Sequence, residues 1–369
     1  MKIKLLLFAF FIVVVLAGVS VFWIKNNEPP MDEVTKAGKM LAEAQLEKSP
    51  KFAKAAFREA ELNYDSARIE WAKQNERFIL LRNYTKVSEF AKKSIESSER
   101  AIGQSQKEIS NTEDQLAARI KRIGEKLKKF ETDFGKFPLA KKHRDEFSKS
   151  KLLFAESLQT YRNKNYSVCK SQLDSVELVV NAAYKHYLQQ LENYFEDYPR
   201  WNEMVKQTIS SSKKNQTYAV VVDKFSRDIF LYKNGTIFKQ YSIELGANWI
   251  GDKMQQGDKS TPEGLYKIVE KKQNGQTKYH KAFLLNYPNE DDLKRFSLNK
   301  KNGSIKQNAK IGNLIEIHGN GGKGIDWTDG CIALTDKNMD ELYKFCPTGT
   351  KITIVGSVKA LNQLSIRLK

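Results

Sequence analysis

The chain of 369 residues has few cysteines and lacks the motifs of metal and nucleic-acid binding. Its three cysteines are too few for a disulfide scaffold, and they include no CxxC pair that would suggest a metal site. Lys and Arg exceed Asp and Glu by 18, but the excess is spread out, with +10 in residues 1–215 and +8 in 216–369. There is no basic tail and no aromatic-and-basic motif, so nucleic acid is not an expected partner. A diffuse positive surface fits an anionic cell envelope better.

Charge is also absent from a long apolar run near the N-terminus. The 20 residues from Leu5 to Ile24 carry no charged side chain, and as a helix they would be about as long as the ~30 Å hydrocarbon core of a bilayer. Lys2 and Lys4 precede the run, so the positive-inside rule predicts a cytosolic N-terminus. We therefore expect a single-pass inner-membrane protein, with the bulk of the chain in the periplasm or cell wall space. A cleaved signal peptide is the alternative that stays open.

Glycine is unevenly distributed, which indicates a change of fold class along the chain. Residues 1–215 contain only 5 of the 20 glycines. Scarce glycine is typical of long helices, and abundant glycine is typical of turns. The sequence predicts an α+β multidomain chain, with a transmembrane segment over 1–30, an antiparallel helical bundle or helical repeat over 31–210, a β-rich domain over 216–357 and a tail over 358–369.

Two stripes of apolar residues at helical spacing support the helical region. One stripe comprises Ala56, Ala60, Tyr64, Ala67 and Trp71. The other comprises Tyr166, Cys169, Leu173, Val176 and Val180. A weak similarity between residues 83–85 and 165–167 favours a duplicated helical hairpin. We expect this region to be a spacer, or an arm on which another envelope protein docks.

The last 150 residues have the pattern of a β-rich domain. Strands are predicted over 218–223, 228–233, 236–241, 265–269, 282–286, 314–317 and 351–355. Asn234-Gly235 between the second and third of these is a strong hairpin signal. One helix is predicted in this domain, from about Asp336 to Phe345, with Thr335 as its N-cap.

The residues that can carry chemistry lie between Leu314 and Leu334, in the segment LIEIHGNGGKGIDWTDGCIAL. A predicted strand ends at His318, and Cys331 follows after a glycine-rich loop. A cysteine nucleophile reacts as the thiolate, and a thiol of pKa ~8.5 needs a base at neutral pH. A histidine at a strand end, facing a cysteine on a tight turn, supplies that base. Spacing alone leaves a purely structural role for both residues open.

Segment 314–334 resembles the signature of the L,D-transpeptidases of the YkuD type. In that family a His-Gly strand end precedes a variable loop, then Ser/Thr-x-Gly-Cys and a short apolar run. Further stretches match in the same order, namely Leu245-Gly246, Thr261-Pro262-Glu263-Gly264, Asn286-Tyr287-Pro288 and Pro347-Thr348-Gly349-Thr350. The resemblance covers about residues 217–356, so it implies that the β-rich domain is an L,D-transpeptidase-like catalytic domain.

The resemblance implies a cysteine acyltransferase that acts on peptidoglycan stem peptides. Cys331 would attack a carbonyl beside the diamino acid, and His318 would take the thiol proton and return one to the leaving D-alanine. The carbonyl of Gly319 would orient the imidazole, and the N–H groups of Gly330 and Cys331 would stabilise the oxyanion. An amine of a second stem would then resolve the thioester and form a 3–3 cross-link. No metal or organic cofactor is required.

Two positions depart from the family's pattern and bear on substrate binding. Asp329 stands where many relatives have His, and Ala333 stands where many have Arg, a residue suited to gripping a carboxylate. Lys323 is a partial substitute for that arginine, and Trp327 is either a substrate wall or a cap on the core. With Asn320 these give the candidate substrate-binding set Asp329, Trp327, Asn320 and Lys323.

Two other functions stay open at this stage. One is a hydrolase on the same scaffold, either an L,D-carboxypeptidase or an amidase, in which water resolves the thioester. The other is a non-catalytic wall-binding protein whose helical region is the functional part.

Overall fold

The computed structural model describes residues 2–26 and 28–364. Met1, Asn27 and residues 365–369 of the predicted C-terminal tail lie outside the described residues. The chain divides into two compact units. Unit one comprises residues 1–121 and 158–170, and unit two comprises residues 122–157 and 171–369.

Helices form residues 31–215 almost throughout, as predicted. Their bounds are α2 Met31–Leu46, α3 Ser49–Phe52, α4 Lys54–Asn75, α5 Thr85–Phe134, α6 Lys141–Arg162, α7 Tyr166–Phe195 and α8 Tyr198–Asn215, with a short 3-10 turn at Ile79–Leu81. The stripe on α4 packs as expected, because Ala56, Ala60 and Ala67 are buried. Small side chains let neighbouring helices approach closely, and this explains the alanine-rich core of unit one.

The N-terminal helix α1 spans Lys2–Asn26. Large apolar side chains along it are exposed, among them Phe8, Phe10 and Phe11. Over the part of the chain that the structure describes, however, no helix is long and apolar enough to cross a membrane. The predicted transmembrane helix is therefore not confirmed.

An eight-stranded sheet forms the centre of unit two, which confirms the predicted β-rich C-terminal domain. Its strands are β1 Tyr218–Asp223, β2 Asp228–Lys233, β3 Thr236–Ser242, β4 Gly264–Gln273, β5 Lys281–Leu285, β6 Glu316–His318, β7 Ile332–Ala333 and β8 Lys351–Val355. Their order across the sheet is β3-β2-β1-β8-β4-β5-β6-β7. The parallel pairs are β1 with β8 and β6 with β7, and the other neighbours are antiparallel.

Two local predictions in this domain need correction. A second helix, α9 Glu290–Lys301, interrupts the sheet in addition to the predicted helix, α10 Asp336–Phe345. Its signal was present in the sequence, because Asn289 and Asp292 form a capping box at its start. The strand predicted over 314–317 begins later, at Glu316, because Leu314 has a φ of +58° and lies outside the extended region.

Helices α7 and α8 pack on the sheet through a buried carboxylate, Glu263, just before β4. Tyr194 of α7 donates to one Glu263 oxygen at 2.6 Å, and Trp201 of α8 donates to the other at 2.9 Å. Lys224 supplies the countercharge at 2.8 Å, and Lys224 and Glu263 are both fully buried. The Trp201 indole also lies against Gly356, where a Cβ atom would overlap the ring. These helices are therefore part of the core of unit two.

Candidate active site

The register between β6 and β7 brings the candidate nucleophile and base to one face of the sheet. Ile317 pairs with Ile332, and His318 pairs with Ala333. Cys331, one residue before Ile332, therefore lies beside Glu316. Because successive side chains of a strand alternate between its faces, Glu316 and His318 point to the same face. Cys331 shares that face, and its Sγ accepts a hydrogen bond from the Glu316 N–H at 3.4 Å.

The imidazole of His318 is fully buried and held by one backbone contact. Its Nδ1 lies 2.6 Å from the carbonyl oxygen of Gly319, which fixes the tautomer with the proton on Nδ1. Its Nε2 has no hydrogen-bond partner among the residues that the structure describes. Burial lowers the pKa of His318 to about 4, with smaller contributions in the same direction from Lys278 and Lys323. The imidazole is therefore a neutral base at physiological pH, and its acceptor nitrogen is free.

The thiol of Cys331 is partly buried and favours its protonated form. Burial raises its pKa, the N–H of Glu316 opposes that shift, and the Glu316 carboxylate adds to it. That carboxylate is itself paired with Lys272 at 2.9 Å. The thiol lies 3.6 Å from the carbonyl oxygen of Leu314, to which it donates. These shifts indicate a resting state in which the thiol and the imidazole are both neutral.

Two aromatic side chains enclose His318. Tyr279, in the turn between β4 and β5, stacks on the imidazole with ring centroids 3.5 Å apart and planes 4° from parallel. Trp327 meets it edge-on at 6.0 Å. Burial raises the pKa of Tyr279, and the charge of a nearby Cys331 thiolate raises it further. Sequence reasoning missed Tyr279, because only the folded hairpin brings it over a residue 39 positions away.

Glycine is required at the two turns that flank the nucleophile and the base. A Cβ atom at Gly319 would come within 2.6 Å of a carboxylate oxygen of Asp336. Gly330 has a φ of +126°, and a Cβ there would lie 2.6 Å from the Ser260 carbonyl oxygen. The N–H of Gly330 donates to Thr328 Oγ1 at 3.2 Å.

The four residues predicted to bind substrate lie in or beside the loop between His318 and Cys331. Trp327 donates from Nε1 to Glu244 at 2.7 Å, and Lys323 lies over its ring at 3.2 Å. Asn320 accepts from the His280 N–H at 2.9 Å. The side chain of Asp329 is exposed. The neighbouring carboxylate that raises the pKa of the Cys331 thiol is that of Glu316.

The remaining thiols and acidic groups give no second centre. Burial raises the pKa of Cys346 to about 12, and Cys346 is fully buried at the end of α10. Cys169 is buried on α7, where burial also raises its pKa. Within residues 2–26 and 28–364, no three His, Cys, Asp or Glu side chains come together in a way that could hold a metal ion.

The C-terminal domain matches a known protein family. Residues 217–354 match the family YkuD, L,D-transpeptidase catalytic domain. Two curated relatives, both named putative L,D-transpeptidase YafK, come from Escherichia coli strains K12 and O157:H7. Each is 26% identical over 109 residues, which is 30% of this chain and 37% of the relative. The chain thus matches little more than a third of their length.

Solved structures similar to this chain include two bacterial proteins. Bd1075 of Bdellovibrio bacteriovorus is 23% identical, with a TM-score of 0.30 over 40% of this chain and 50% of its own. L,D-transpeptidase 1 of Mycobacterium tuberculosis is 14% identical, with a TM-score of 0.23 over 38% of this chain and 62% of its own.

Proposed function

We propose that the protein is a cysteine acyltransferase that acts on peptidoglycan stem peptides, because residues 217–354 match the YkuD-type L,D-transpeptidase catalytic domain. The observation that carries the proposal is the parallel register of β6 and β7. It brings Cys331 and His318 to one face of the sheet, while Gly319 fixes the imidazole with its accepting nitrogen unengaged.

The first half of the reaction forms a thioester. As Cys331 Sγ attacks the carbonyl carbon beside the diamino acid, its proton passes to Nε2 of His318. The tetrahedral intermediate then collapses, the bond to the leaving D-alanine breaks, and the imidazolium returns the proton to the departing amine. Because the pKa of the thiol is raised and that of the imidazole is about 4, proton transfer accompanies attack and no ion pair exists beforehand.

The second half of the reaction resolves the thioester. An amine of a second stem gives a proton to His318 and attacks the thioester carbon, and the thiolate leaves and recovers a proton from the imidazolium. The product is a 3–3 cross-link. The N–H of Cys331 is the first donor to the oxyanion in both halves. The N–H of Gly330 becomes the second donor when it breaks its hydrogen bond to Thr328 Oγ1.

Product analysis tests the proposed function. Purified full-length protein is incubated with disaccharide-tetrapeptide muropeptides, and the products are separated and weighed. We expect cross-linked dimers that have lost one D-alanine. Cys331→Ala should abolish them, while Cys346→Ala, which removes the buried thiol of the same unit, should not.

Two results would contradict the proposal. Tripeptide products without dimers would mean that water resolves the thioester, as in an L,D-carboxypeptidase. Unchanged muropeptides would mean that the domain is not catalytic and favour the wall-binding alternative.

We also propose that the run from Leu5 to Ile24 anchors the chain in the inner membrane, with the catalytic domain in the periplasm or cell wall space, where its substrate lies. The uncharged sequence and the exposed apolar side chains of α1 support this. Carbonate extraction of membranes should leave the full chain in the pellet and release a variant that lacks residues 1–30. Release of the full chain would contradict the anchor.

A further inference from the structure

An open cleft of about 840 Å³ lies in unit two, beside the loop that joins His318 to Cys331. This volume is within the ~300–1,000 Å³ of small-molecule sites. Its walls include Glu244, Asp326 and Gly324 of the sheet domain, and Lys136 and Arg144 of the helical segment. The family match begins only at residue 217, so the helical wall belongs to a part of the chain outside it.

The helical wall is held firmly against the sheet domain. The carbonyl oxygen of Lys136 accepts from Trp249 Nε1 at 2.9 Å and from Arg227 at 3.1 Å. Phe137 is buried and packs edge-on against the same indole, with ring centroids 5.3 Å apart. These contacts fix the connection between α5 and α6 where it borders the cleft.

The acidic groups of the cleft already have donors. The two oxygens of Glu244 accept separately, one from the Gly324 N–H at 2.6 Å and the other from Trp327 Nε1 at 2.7 Å. Asp326 is paired with Arg227 at 2.9 Å and also accepts from the Leu245 N–H at 2.9 Å. Neither carboxylate therefore needs a cation from a ligand.

Unlike these acids, which already have donors, the cations of the helical wall lack ion-pair partners among the described residues. Lys136 and Arg144 are exposed, and neither forms an ion pair with a residue that the structure describes. The cleft therefore presents two unpaired positive charges beside satisfied acids. A guanidinium and an ammonium in one cleft favour an anion, and carboxylates match the guanidinium best through paired hydrogen bonds.

We propose that this cleft binds the carboxylate-bearing part of a peptidoglycan stem peptide, with Arg144 and Lys136 as its cationic contacts. The choice of ligand rests on the proposed function. The position of the cleft supports this ligand, because Gly324 and Asp326 of its wall belong to the loop that joins His318 to Cys331. A stem held in the cleft therefore lies against this loop. The helical segment is then a substrate-binding wall as well as a spacer.

Calorimetric titration at low ionic strength tests the inference. The full chain carries Cys331→Ala to prevent turnover, and the probes are a synthetic stem tetrapeptide and its analogue with every carboxylate converted to carboxamide. We expect the acid to bind at least about tenfold more tightly than the amide, the size of one charge-assisted hydrogen bond. Arg144→Gln and Lys136→Gln should each remove most of that difference.

The matched control is Lys149→Gln, which removes an exposed cation of α6 that does not line the cleft. It should leave both affinities unchanged. Equal affinities for the two probes, no binding of the acid, or a loss as large in Lys149→Gln as in Arg144→Gln would each overturn the inference. The two proposals can also fail separately. If the protein with Cys331 intact makes no product, but the acid still binds selectively and Arg144→Gln removes that selectivity, the proposed function is refuted and the cleft assignment stands.

Discussion

Trp201 offers the sharpest test of the packing in unit two. Its indole is fully buried and donates to Glu263 at 2.9 Å. Trp201→Phe keeps a ring but leaves that carboxylate with one donor fewer, which costs about 1–3 kcal/mol. Trp201→Ala also leaves a cavity, and the loss for such a substitution is about 3–5 kcal/mol. Native proteins are stable by only about 5–15 kcal/mol, so the alanine variant should lose a large share of the stability of unit two.

Two buried thiols allow the units to be followed separately. Cys346 lies in unit two and Cys169 in unit one, and both are fully buried. Pulse labelling with a thiol reagent across a urea gradient, read by mass spectrometry, gives an unfolding midpoint for each. Trp201→Ala should lower the Cys346 midpoint by about 1 M or more, given ~1–3 kcal/mol per molar urea. The Cys169 midpoint should stay the same.

Two results would refute this reasoning. An unchanged Cys346 midpoint in Trp201→Ala would mean that α8 is not part of the core of unit two. Equal shifts at both thiols would mean that the substitution acts on the whole chain. Trp71→Ala is the matched control, because Trp71 packs in the core of unit one and its loss should move only the Cys169 midpoint.

Two further predictions concern the electrostatics of the site. Glu316→Gln removes a carboxylate that raises the pKa of Cys331, so alkylation of the thiol at pH 7 should become severalfold faster and its pH profile should shift to lower pH. His318 has a pKa of about 4 in the fold, against about 6.5 unfolded, so the unfolded chain binds the extra proton between these values. Stability should therefore fall by about 3 kcal/mol as pH drops through this window, and His318→Gln should remove that part of the loss.

Each of these predictions has its own control and its own contradicting result. Glu270→Gln removes a more exposed carboxylate near Lys272 and should leave the alkylation profile of Cys331 unchanged. A profile unchanged in Glu316→Gln as well would contradict the assigned cause. For His318, the urea midpoint of Cys346 labelling is compared between wild type and His318→Gln at each pH. A constant difference from pH 7 to pH 4 would contradict the lowered pKa.

Local patterns predicted most of the elements. Glycine content and periodicity separated the helical region from the β-rich domain, and Asn234-Gly235 does join β2 to β3. The side chain of Thr335 caps α10 by accepting from the Asn338 N–H, as expected. These features depend on residues close together in the chain, so a single sequence carries enough information to find them.

Local sequence patterns could not predict the tertiary contacts. Trp201 and Glu263 are 62 positions apart, and an apolar stripe does not name the surface that it packs against. The same holds for Tyr279 over His318. The side of the sheet that Glu316 faces could be predicted, because alternation along a strand puts it on the same face as His318, two residues later. The role of its carboxylate depends on the register with β7, which the sequence does not state.

The most direct test of the central claim is to trap the acyl-enzyme. Full-length protein is mixed with a stem tetrapeptide whose free amines are acetylated, so that no amine acceptor is present. The mixture is quenched in acid and weighed intact, and the modified peptide is then sequenced. The proposed chemistry predicts a tripeptidyl adduct on Cys331, absent from Cys331→Ala and much reduced in His318→Gln. An adduct on another residue, or product formation by Cys331→Ala, would contradict it.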